Sequence, residues 1–131
     1  FSKNIEVNFS IPSHKLRVNQ AIPLGLLFNE LLTNTFKYAF KGRNTGQINI
    51  IMQPQGHRLH VVYEDNGVGF ERNITTFERS GNLGLTLIHL QLQQLESDYS
   101  IDTDGKFRLE FSFDILKEQK DQNPVLQTFR S

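Results

Sequence analysis

The 131-residue chain contains no cysteine, which excludes disulfide scaffolds, zinc sites built on thiolates and cysteine nucleophiles. A reducing compartment is compatible with that, and the cytoplasm is the default expectation, whether for a free protein or for the cytoplasmic part of a membrane-anchored one. An excess of charge of either sign is also missing: 14 Lys and Arg stand against 14 Asp and Glu. Long-range attraction to nucleic acid or anionic lipid is therefore not expected, and any anionic ligand has to be held by local contacts. No apolar run approaches the roughly 18 residues of a membrane span, and the first residues lack a signal-peptide pattern. The first residue is Phe1 and not Met, so the chain is expected to be a piece of a longer protein. What is present is apolar: 37% hydrophobic residues, with 11 Phe and 3 Tyr, suit one packed domain and exclude a disordered or fibrous chain.

Hydrophobic periodicity divides that domain into elements. Ile5, Val7, Phe9 and Ile11 alternate with polar residues until Pro12 breaks the pattern, the period of two of a half-buried strand. A short second strand is expected over 15–18. Over 19–40 the period becomes helical, with Leu24, Phe28, Leu31 and Thr35 on one face, Asn19 as a cap and Pro23 in the first turn. Residues 47–54 and 58–65 read as a hairpin, and 66–82, with Gly67, Gly69 and Gly81, as a long loop of the kind that often carries function. Leu85, Ile88, Leu92 and Leu95 recur at helical spacing; Tyr99 and Ile101, then Phe107, Leu109, Phe111 and Phe113, flank the Asp104-Gly105 turn as a second hairpin. The domain is placed at 1–116, and 117–131 is expected to be a polar, peripheral tail. This order predicts an α+β two-layer sandwich, helices on one face of a mixed, mostly antiparallel sheet.

Three constellations could carry chemistry. Glu30, Asn34, Lys37 and Lys41 fall in one sector of the first helix. A carboxylate, an amide and an ammonium side by side suit a metal-bound phosphate chain, the Asn34 oxygen being a hard neutral ligand for Mg²⁺ and Lys37 a mobile positive charge; the same stripe could equally be a solvated face. Glu64-Asp65-Asn66-Gly67-Val68-Gly69-Phe70 follows a strand directly. There Asp65 can accept a hydrogen bond from an exocyclic amine, and Gly67 and Gly69 let backbone approach a flat ring, although an ordinary Asp-Asn-Gly turn has the same composition. Ser80-Gly81-Asn82-Leu83-Gly84-Leu85 runs into a helix, where free N–H groups make an anion site or simply a helix cap. No G-K-[ST] follows, so it is not a Walker loop.

Taken together and in this order, the three boxes resemble the Bergerat-type (GHKL) ATP-binding domain of sensor histidine kinases and related ATPases. The stretch Asn29-Glu30-Leu31-Leu32-Thr33-Asn34-Thr35-Phe36-Lys37-Tyr38-Ala39-Phe40 is most similar to bacterial kinases with Glu in this box, and the resemblance spans roughly 4–114. It implies a Bergerat fold, with ATP and Mg²⁺ bound. Asn34 would ligate the metal, Lys37 and Tyr38 would contact phosphate or ribose, and Asp65 would take the adenine amino group above Gly67, Val68 and Gly69. Gly81, Asn82, Leu83, Gly84 and Leu85 would form the second glycine box beneath a lid over 70–83. That box reads G-N-L-G-L, and the late glycine-threonine box reads Asp104-Gly105-Lys106-Phe107, with Lys where Thr is usual.

The resemblance also implies the partners: a histidine on a separate dimerisation domain of the same protein, and the receiver domain of a response regulator. None of His14, His57, His60 and His89 lies in a phosphoacceptor motif, so the acceptor is expected outside this chain, which by itself is expected to be monomeric. Glu30, Asn34 and Lys37 are the catalytic candidates. Two other readings stay open, an ATP hydrolase using Glu30 as general base and a non-catalytic interaction module that keeps the fold.

Overall fold

The computed structural model describes residues 4–10, 15–67 and 83–116. Its order is β1 (Asn4–Ser10), α1 (Val18–Asn34), a π turn (Thr35–Ala39), β2 (Thr45–Gln55), β3 (Arg58–Asp65), α2 (Leu83–Gln94), β4 (Asp98–Asp102) and β5 (Phe107–Asp114). The strands form one sheet in the order β1-β2-β3-β5-β4. β1 runs parallel to β2 and every other pairing is antiparallel, so the α+β sandwich with a mixed, mostly antiparallel sheet is the observed fold.

Alternation of side chains decides which sheet face is covered. Ile48, Ile50 and Met52 of β2, Leu59, Val61 and Tyr63 of β3, and Phe107, Leu109, Phe111 and Phe113 of β5 are buried together with Leu24, Leu27 and Leu31 of α1 and Leu85, Ile88 and Leu92 of α2. The other face is a charge ladder: Glu64 meets Lys106 and Arg108 at 3.6 Å each, and Glu110 meets Arg108 at 3.3 Å and His60 at 3.6 Å. These half-exposed pairs hold the face polar and contribute little stability. β1 is an edge strand, and Phe9 is 60% exposed although it shares the parity of the half-buried Ile5 and Val7.

Several expectations change. No strand occupies 15–18, because the Arg17 carbonyl already accepts the N–H groups of Gln20 and Ala21 at 2.9 and 2.8 Å and starts the helix at Val18. The N-cap is therefore Arg17 and not Asn19, and Pro23 lies in the second turn. It is tolerated there because Asn19, whose carbonyl loses its i+4 donor, is exposed to water. Leu27 is buried where Phe28 was expected, Phe28 being half-buried. The expected helix over 19–40 ends as α-helix at Asn34 and continues as the π turn, closed by Phe40 N–H on the Thr35 carbonyl at 3.1 Å. Wider turns rotate everything after Thr35 away from the regular stripe. Ile11, the loop over 68–82 and the tail over 117–131 lie outside the described residues.

Candidate functional site

The parity that buries Leu59, Val61 and Tyr63 also turns Asp65, the last residue of β3, toward the helices. A carboxylate 3% exposed is costly unless its oxygens are hydrogen-bonded. Oδ1 accepts the Gly67 N–H at 3.0 Å, and Oδ2 accepts the Thr35 hydroxyl at 3.1 Å. Thr35 Oγ1 lies 2.7 Å from the Tyr63 hydroxyl. Burial raises the Asp65 pKa above the usual carboxylate value, opposed by those two hydrogen bonds and by the charge of Arg43. Burial likewise raises that of Tyr63, which keeps its proton.

The turn after Asp65 is anchored on both sides. Asn66 exchanges N–H and Oδ1 contacts with Gln47 at 3.1 and 2.8 Å, and Arg43 donates to the Asn66 carbonyl at 2.6 Å from above the Phe40 ring. Gly67 then packs on the π turn so tightly that a Cβ there would come within 2.5 Å of the Ala39 carbonyl oxygen. Only glycine fits without a shift of backbone.

Above Asp65 opens a narrow cleft between α1, the π turn, α2 and β5. Leu31, Ala39, Leu85, Ile88 and Phe107 give it apolar walls, and Asn34, Thr35, Tyr38 and Asp65 bring the polar atoms. A narrow apolar slot with an acceptor on its floor suits a flat heterocycle carrying an amine. Asn34 Nδ2 is buried, and among the described residues it has no hydrogen-bond partner. An amide left unpaired in a cleft wall is spare capacity for a ligand.

The sequence candidates divide accordingly. Asn34, Tyr38, Asp65 and Leu85 line the cleft, and Gly67 is buried under it beside Asp65. Lys37 is exposed on the outer side of the π turn, Glu30 is half-buried one turn before Asn34, and neither is among the lining residues. The expected common sector of Glu30, Asn34, Lys37 and Lys41 is broken because the π turn changes the phase and Lys41 follows the helix. Leu83 and Gly84 open α2, Leu83 exposed and Gly84 half-buried. Val68, Gly69, Gly81 and Asn82 lie outside the described residues. Sequence reasoning missed Thr35 and Tyr63 as polar members of the site. A Thr in the apolar stripe of a helix was the available signal.

Residues 19–119 match the family described as histidine kinase-, DNA gyrase B- and HSP90-like ATPases. The chain belongs to this family. It is 29% identical over 102 residues to blue-light-activated histidine kinase 2 of Erythrobacter litoralis, an alignment covering 77% of this chain and 29% of that protein. Among solved structures, the blue-light-activated histidine kinase of Erythrobacter litoralis EL346 superposes with a TM-score of 0.76 at 26% identity, over 85% of this chain and 35% of the other. The catalytic domain of histidine kinase ThkA gives 0.68 at 11% identity, over 88% and 81%, a likeness of fold. The chain thus spans about a third of the kinases it matches first, and its ATPase-family fold is that of their catalytic domains.

No group of three or more His, Asp or Glu able to hold a metal occurs among the described residues, so a closed protein cage is not what they offer. Mg²⁺ takes few protein ligands and fills its shell with water and phosphate oxygens. The Asn34 amide oxygen in the cleft wall is the one kind of neutral oxygen ligand that habit needs, while its unpaired Nδ2 is a donor suited to a phosphate or ring acceptor and not to the metal.

Proposed function

We propose that this domain binds Mg·ATP and serves as the catalytic domain of a sensor histidine kinase. It would present the γ-phosphate to a histidine on a separate dimerisation domain of the same protein, from which an aspartate of a response regulator takes it. The observation that carries this reading is the Asp65 carboxyl group, buried on the floor of an apolar cleft with its oxygens accepting from Thr35 and Gly67, and the unpaired amide nitrogen of Asn34 in the cleft wall.

In this reading Asp65 accepts the exocyclic amine of adenine, while Leu31, Ala39, Ile88 and Phe107 exclude water from the ring. Asn34 would hold Mg²⁺, which supplies charge neutralisation to the phosphates. Tyr38, 53% exposed at the cleft, borders the ribose and phosphates, and Lys37 reaches them as a mobile cation. The acceptor nitrogen then bonds to the γ-phosphorus as the bond to the β–γ bridging oxygen breaks, and ADP leaves. Catalysis is positioning and charge neutralisation. The hydrolase alternative requires Glu30, half-buried one turn before Asn34, to activate water, and steady ATP hydrolysis that is lost in Glu30→Ala would favour it.

Calorimetric titration with a non-hydrolysable ATP analogue tests this. Wild type is expected to bind, Asp65→Ala to lose binding, and Asn34→Ala to lose mainly the dependence on Mg²⁺. No binding by wild type at millimolar Mg·nucleotide would leave a scaffold module as the better reading.

A further inference from the structure

The hydroxyls on the helix side of Asp65 have a direction. Thr35 carries one hydroxyl proton, and it goes to Asp65 Oδ2 at 3.1 Å. The 2.7 Å contact between Thr35 and Tyr63 must then be donated by the Tyr63 O–H. The chain runs Tyr63 to Thr35 to Asp65 and ends on the carboxyl Oδ2, while the Gly67 N–H occupies the other carboxyl oxygen. Both anchors come from fixed backbone, the first π residue of the α1 layer and the turn after β3. We propose that Thr35 is a positioning residue for nucleotide binding: the Tyr63–Thr35 relay holds the Asp65 carboxylate in the rotamer whose remaining lone pairs face the cleft, so that the site takes a purine presenting an amine and refuses one presenting a carbonyl.

This rests on the reading of the cleft as an ATP site and adds what selects the base there. A carboxylate freed from the relay could turn toward Arg43, whose charge acts on it, or take up a proton. Among the described residues, the titratable and charged groups that face Asp65 are Tyr63 on its own strand and Arg43 before β2. α1 contributes the neutral Asn34 and Thr35, and α2 and β5 contribute Leu85, Ile88 and Phe107. Because the Thr35 bond favours the ionised carboxylate, losing it raises the pH at which Asp65 titrates.

The test compares wild type, Thr35→Val, Thr35→Ser and the double variant Thr35→Val/Tyr63→Phe. Each is titrated with ATP and GTP analogues across pH, with melting temperature measured alongside. Thr35→Val keeps the shape and removes the hydroxyl: ATP-analogue binding is expected to weaken about tenfold, its preference over GTP to shrink, and the acid limb of the binding profile to move up by about one pH unit. Thr35→Ser is expected to restore all three. The double variant removes the orphaned Tyr63 hydroxyl, so it should regain melting temperature relative to Thr35→Val without regaining affinity. Wild-type affinity and acid limb in Thr35→Val, with only the melting temperature lowered, would overturn the proposal and leave the ATP site standing, as would a Ser variant that fails to restore binding. Absence of nucleotide binding by wild type would overturn both.

Discussion

Gly67→Ala places one methyl group where the π turn meets the strand end. The added Cβ would stand 2.5 Å from the Ala39 carbonyl oxygen and 2.8 Å from the Ala39 carbonyl carbon, against roughly 3.4 Å or more for ordinary van der Waals contact. The obstacle is backbone held by the Phe40 N–H bond to Thr35, so relief needs a backbone shift of nearly an ångström and not a rotamer change. Overpacking of this kind costs about 1–3 kcal/mol. At about 4 °C per kcal/mol for a chain of this size, the melting temperature is expected to fall by about 4–12 °C. The same displacement stretches the Gly67 N–H bond to Asp65, so affinity for an ATP analogue should fall too. Gly25→Ala is the control: it is an exposed position inside α1 with nothing within 4 Å of a new Cβ, and it should gain about 0.5–1 kcal/mol from reduced chain entropy. Thermal unfolding by circular dichroism compares the two. A Gly67→Ala protein as stable as wild type would refute the claim that this turn is packed backbone on backbone.

Leu27→Ala, at a position 0% exposed in the sandwich core, should cost about 2–5 kcal/mol in urea unfolding, while Leu26→Ala, at the preceding residue and 48% exposed, should stay within about 0.5 kcal/mol. Asp65 has a folded-state pKa raised by burial, so the folded protein binds its proton more tightly than the unfolded chain and this group's contribution to stability falls as pH rises from the unfolded value through the raised one. Asp65→Asn should therefore be the more stable protein near neutral pH while binding nucleotide poorly, with the stability gain shrinking as the pH falls toward 4; an advantage that grows on acidification would contradict the sign.

Local patterns carried most of the fold. The alternation of Leu59, Val61 and Tyr63, and of Phe107, Leu109, Phe111 and Phe113, set strand faces that the structure keeps, because burial enforces period two wherever one face is covered. The same rule turned Asp65 inward. The π turn was not legible: a constant helical period carries the stripe from Glu30 through Asn34 and Lys37 to Lys41, and the turn over Thr35–Ala39 changes that phase after Asn34. The strand expected over 15–18 failed because a strand needs a free neighbour, and the Arg17 carbonyl was already committed to the helix. Thr35 and Tyr63, 28 residues apart, are joined only by the packing of α1 on the sheet, which no local spacing announces.

The most direct measurement is an amide-shift NMR titration of the domain with the Mg²⁺ complex of a non-hydrolysable ATP analogue. The expected result is shifts concentrated at Asn34, Thr35, Tyr38, Asp65, Gly67 and Leu85, with His60, Glu64 and Glu110 on the opposite sheet face unmoved. Shifts confined to that opposite face, or none at millimolar nucleotide, would contradict the assignment of the cleft above Asp65 as the nucleotide site.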